Sequence, residues 1–68
     1  MGGSKQKKLY AKIAQKLRKK STHIPWVSAD TGISDMTLRR LMRREPKRPS
    51  EKFLKILAEY FEIDEGEL

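Results

Sequence analysis

Residues 24–44 read Ile24-Pro25-Trp26-Val27-Ser28-Ala29-Asp30-Thr31-Gly32-Ile33-Ser34-Asp35-Met36-Thr37-Leu38-Arg39-Arg40-Leu41-Met42-Arg43-Arg44. Pro25 fits the first turn of a helix, where a missing N–H leaves no bond unmade. Gly32 lies where that helix must stop and the chain turn through a left-handed conformation. Ser34 then offers a hydroxyl to cap a further helix, with Asp35 at its first position beside the positive end of the helix dipole. The spacing predicts helices over 24–31 and 34–43 joined by Gly32-Ile33. The second carries Leu38, Leu41 and Met42 on one side and Arg39, Arg40, Arg43 and Arg44 on the other.

Upstream, Leu9, Ile13 and Leu17 recur at every fourth residue with Tyr10 and Ala14 beside them, while lysines and Arg18 cover the other side. That pattern predicts an amphipathic helix at about 5–20. Ser21-Thr22-His23 breaks it, and Met1 to Ser4 reads as a tag or a loose start outside the domain at 5–68. Downstream, Pro46 and Pro49 hold Glu45 to Pro49 extended. Ser50 is expected to cap a fourth helix whose buried stripe is Leu54, Leu57, Ala58 and Phe61, with Ile63 packed just after its end. Phe53, Ile56 and Tyr60 form a second apolar stripe on that helix. Asp64 to Leu68 has the residues to cap and begin a fifth helical turn. Nothing alternates with a period of two, so the expected fold is all-α, a compact four- to five-helix bundle.

The composition narrows the chemistry. The 68 residues make one small domain, 37% hydrophobic, without cysteine and with a single histidine. A disulfide framework, a thiolate zinc site and a cysteine nucleophile are therefore excluded, and His23 has no partner at metal-ligand spacing. No apolar run reaches the roughly 18 residues that span a bilayer, and a cytoplasmic location is expected. The net charge of +7 is unevenly placed. Residues 1–50 hold fourteen bases and three acids, whereas 51–68 hold two bases and six acids. Such a potential attracts polyanions, and its sign alone does not say which.

Two short helices around a glycine-containing turn, the second one basic, are the recipe for a helix-turn-helix. The order of residues goes further. His23 to Met42, and again Lys47 to Leu68, resemble the lambda-repressor/Cro-like (XRE) DNA-binding family. Gly32-Ile33-Ser34 and Thr37-Leu38 match its turn and the start of its recognition helix. Pro49-Ser50, Leu54, Leu57-Ala58, Phe61, Ile63 and Glu67-Leu68 match its later segment. The chain departs from the family at three places. His23 and Ile24 replace a polar pair that clamps a phosphate. Leu17 and Met42 replace a buried Arg–Glu pair. Glu62 stands where the family has a helix-ending glycine, so a left-handed non-glycine residue is expected there.

The resemblance implies a sequence-specific regulator of transcription that binds double-stranded DNA, repressor- or Cro-like, in a bacterial or phage setting. Residues 34–43 would lie in the major groove, with Asp35, Met36, Arg39 and Arg40 reading base edges. Ser34, Thr37, Arg43, Arg44, Lys47 and Arg48 are placed for phosphates. Phe53, Ile56 and Tyr60 read first as additional core, the alternative, which the resemblance suggests, being a homodimer face. No cofactor, metal or small-molecule ligand is implied. From another class comes a protein-interaction module on the same fold, such as an antitoxin or adaptor. A third reading lays the apolar stripe Leu9-Ile13-Leu17 on a membrane surface. No nucleophile–base pair or phosphate-cradling glycine loop points to an enzyme.

Overall fold

The computed structural model describes residues 2–45, 48–64 and 66, with side chains from residue 6 onward. The described residues form four α-helices and no strand: α1 (Gly2–Leu17), α2 (Ile24–Thr31), α3 (Asp35–Arg43) and α4 (Glu51–Tyr60). Each turns its apolar stripe inward. Leu9, Tyr10, Ile13, Ala14 and Leu17 of α1, Ile24 and Val27 of α2, Leu38 and Leu41 of α3, and Leu54, Leu57 and Ala58 of α4 are all buried, as is Ile33 between α2 and α3. Met42, Phe53, Ile56, Phe61 and Ile63 are half-buried against this single cluster. α1 packs on α3 and α4, and α2 packs on the same two helices. The radius of gyration is 11.1 Å.

The expected bounds of α2 agree with the structure, α3 starts one residue later than expected because Ser34 caps it rather than opening it, and the bounds of α1 differ more. α1 starts at Gly2, ahead of Lys5, and stops at Leu17 rather than Lys20. Arg18, Lys19 and Lys20 have no apolar side to bury, so continuing the helix would gain no core contact. The chain tightens instead, with Lys19 N–H donating to Lys16 O at 3.3 Å and Thr22 N–H to Lys19 O at 3.0 Å. The Thr22 hydroxyl also donates to Lys16 O at 2.8 Å, satisfying a carbonyl at the helix end. Leu17 is buried in the core cluster and Met42 packs half-buried against it.

The turn between α2 and α3 is built as its residues dictate. Gly32 is left-handed at φ 79° and donates to Ser28 O at 2.8 Å. Thr31 Oγ1 donates to Val27 O and accepts from Ile33 N–H, tying the turn to the last turn of α2. A Cβ on Gly32 would meet nothing within 4 Å, so only backbone strain opposes one. Gly32→Ala is expected to cost about 1 kcal/mol, with a fall in melting temperature of roughly 4–8 °C by circular dichroism. Gly32→Asn should lose less, since asparagine tolerates the left-handed region better.

Glu62 is left-handed at φ 55°, as its position implied, and so is Arg44 at φ 55°, which the sequence did not signal. Both end helices through the same paired bonds. Ile63 N–H reaches Ala58 O at 2.8 Å and Glu62 N–H reaches Glu59 O at 3.2 Å. Likewise Glu45 N–H reaches Arg40 O at 3.1 Å and Arg44 N–H reaches Leu41 O at 3.0 Å. These 6→1 and 5→2 bonds satisfy carbonyls that a helix end otherwise leaves orphaned, which offsets the left-handed strain. Glu62→Gly removes the strain and keeps the bonds. It is expected to raise stability by about 0.5–1 kcal/mol, the gain being trimmed by the freer unfolded chain, and thermal unfolding reads it directly.

Ser50 occupies the position before α4 with an extended backbone, but its side chain makes no capping bond, contrary to expectation. Only its carbonyl enters the helix, accepting from Leu54 N–H at 3.1 Å. Of the segment Glu45 to Pro49, residues 45, 48 and 49 are non-helical, while Pro46 and Lys47 lie outside the described residues. In the expected fifth turn, Asp64 Oδ1 accepts from Gly66 N–H at 2.9 Å. Glu65, Glu67 and Leu68 also lie outside the described residues.

Candidate nucleic-acid interface

A nine-residue helix can serve two purposes if its apolar residues keep to one side. In α3, Leu38 and Leu41 are buried and Met42 half-buried, while Met36, Arg39, Arg40 and Arg43 are exposed. Met36 is 68% exposed, unusual for a large apolar side chain. These four and Glu45 line a shallow open depression. Among the described residues, the side chains of Arg39 and Arg40 have no ion pair or hydrogen bond. Arg43 Nη1 pairs with Glu45 Oε1 at 3.4 Å, an exposed contact of small energetic weight. Glu45 was not singled out in the sequence, although its spacing of two from Arg43 across the helix end brings them together.

Arg44 departs from the arginine face. The left-handed turn at its own backbone carries its guanidinium over the Tyr10 ring, 5.4 Å from the centroid. A cation–π contact of this kind is worth about 0.5–1 kcal/mol near the surface and joins the end of α3 to α1. Burial holds the Tyr10 hydroxyl above its usual pKa of 10.0, with the charge of Arg44 acting in the opposite direction and that of Glu45 adding to the rise. Arg44 remains exposed.

At the other end of α3 the cap is explicit. Ser34 Oγ accepts from Thr37 N–H at 3.2 Å and lies 2.8 Å from Thr37 Oγ1. Two hydroxyl hydrogens are available and their mutual bond uses one, which leaves the other to donate to an acceptor arriving from outside. Asp35 is half-buried at the first helical position, where its charge favours the helix start. Comparison with protein-family models, curated proteins and solved structures finds no match to this chain.

The remaining residues sort by place. Arg48 is exposed, and Lys47 lies outside the described residues. Phe53 and Ile56 pack against the core cluster, in keeping with the additional-core alternative. Tyr60 is 38% exposed, and its hydroxyl donates to Asp30 Oδ2 at 3.1 Å, which links α4 to α2. Desolvation, then that bond and the charge of Asp30, hold Tyr60 protonated above its usual range. Trp26 is 70% exposed, with its ring 5.0 Å from that of His23 and tilted by 53°. Their three-residue spacing on a helix start was the available signal for that pair. His23 stands before α2 without a side-chain capping bond. No group of three or more metal-ligating side chains occurs among the described residues.

Proposed function

We propose that this chain is a sequence-specific double-stranded DNA-binding regulator of transcription, with α2 and α3 acting as a helix-turn-helix and α3 entering the major groove. The observation that carries this reading is the pair Arg39 and Arg40, whose side chains have no partner among the described residues, beside Met36 on the outward side of a helix that buries Leu38 and Leu41 in the core. Arginine bridges guanine O6 and N7, and an apolar side chain rests on a thymine methyl, so such a face suits a site containing G·C pairs. Asp35 adds an acceptor for cytosine N4. Ser34, Thr37, Arg43, Arg44, Lys47 and Arg48 supply phosphate contacts that set register without reading sequence. The lambda-repressor/Cro-like resemblance supports the same assignment of roles.

Selection from a random duplex pool near physiological salt tests it. A two-fold symmetric enriched motif containing G·C pairs is the result expected of a homodimer on DNA, and a single half-site that of a monomer. Retention without enrichment, or no retention, overturns the reading and redirects attention to protein partners.

A further inference from the structure

The first acidic residue of the chain is Asp30, so residues 1–29 carry eight bases and no acid. A solvated surface helix ordinarily interleaves the two signs, because like charges four apart repel and opposite ones attract. α1 does neither. Lys8 and Lys12 stand four apart on its solvent side, Lys16 follows four later at its margin, and Arg18, Lys19 and Lys20 are exposed just past its end. Its first turn also lacks the acid that would favour the helix dipole. Among the described residues, none of these cations has a carboxylate partner. The like-charge spacing and the missing acid therefore oppose the isolated helix, and no ion pair among the described residues offsets them, a pattern expected where a surface serves binding.

The direction of this ridge matters as much as its charge. α1 packs on α3 through the stripe that contains Leu9, Tyr10, Ile13 and Leu17, and the lysines lie on the opposite side of that helix. α3 in turn buries Leu38 and Leu41 and turns its arginines outward. The ridge therefore lies on the side of α1 turned away from the core that α1 shares with α3. A duplex seated on α3 leaves the α1 ridge free. A membrane is the poorer occupant, since the apolar stripe that would enter lipid is already inside the core.

We infer that the α1 ridge binds the phosphate backbone of a second duplex without regard to sequence, so that one domain bridges two DNA segments. The inference rests on the DNA-binding reading of α3. It is tested by immobilising the enriched duplex, loading the protein and measuring capture of a labelled second duplex of unrelated sequence. Lys8→Gln with Lys12→Gln should lower capture about tenfold and reduce the dependence of log capture affinity on log salt by about two. Binding to the first duplex should change by no more than a few-fold. Lys52→Gln with Lys55→Gln on α4 removes the same charge elsewhere and should leave capture within about twofold.

Binding of the first duplex without capture of the second overturns the bridge alone. So does capture that survives the ridge substitutions, as a dimer with two α3 faces would give, or that falls equally in the α4 pair. Preferential ridge-dependent binding of vesicles of equal phosphatidylcholine and phosphatidylserine overturns the choice of partner. First-duplex binding that is absent, or indifferent to Arg39→Ala with Arg40→Ala, overturns the reading of α3 and the bridge with it.

Discussion

Leu38→Ala is expected to cost the folded state about 2–5 kcal/mol, the range seen when a fully enclosed leucine is truncated and its surroundings relax only in part. Leu38 has no exposed surface and sits in the one cluster to which all four helices contribute. A domain of this length has a total stability of roughly 3–10 kcal/mol, so the loss approaches the whole of it. Urea unfolding should show the midpoint falling by a molar or more at unchanged slope, or no folded baseline at all. Leu38→Met keeps the volume and should cost less than about 1.5 kcal/mol. A loss below about 1 kcal/mol for the alanine variant would mean that the α1–α3 packing is looser than the structure describes.

Arg40→Ala is expected to lower affinity for the preferred duplex by about 1–3 kcal/mol, roughly 5- to 150-fold, and to flatten the preference at one base position. Its side chain is exposed and makes no hydrogen bond or ion pair among the described residues, so folding should be unaffected and a matched melting temperature is the control. Arg43→Ala supplies the contrast. As a phosphate contact it should weaken all sequences alike and reduce the salt slope by about one. Titrations of the preferred duplex and single-base variants separate the two patterns. If Arg40→Ala weakens every sequence equally, Arg40 grips the backbone and the base-reading assignment moves to Arg39 or Met36.

What could be read from the residues depended on how local the cause was. Pro25, Gly32 and Ser34 each impose a backbone state on their own position, and the bounds of α2 and α3 followed from them. The buried stripes were legible for the same reason, since periodicity is a property of one helix. The limits of α1 were not, because a run of good helix formers has no punctuation and its end is decided by where core contact ceases. Arg44 shows the same gap: its left-handed backbone and its place over Tyr10 need α1 and α3 side by side. The Tyr60–Asp30 bond joins residues thirty apart and had no sequence signature. At the candidate site, the residue types were plain from the start, whereas which arginines remain unengaged was a matter of tertiary packing.

The two sides of α3 have no residue in common. Leu38 and Leu41 are buried in the core, and Met36, Arg39 and Arg40 face solvent. On the proposed DNA-binding reading, target preference is thereby uncoupled from foldability: exchanging the outer residues is expected to alter what is recognised and to leave the melting behaviour almost untouched. Descendants of such a chain would stay alike within and diverge without, each acquiring a new address through a few codon changes on a scaffold that never has to be rebuilt.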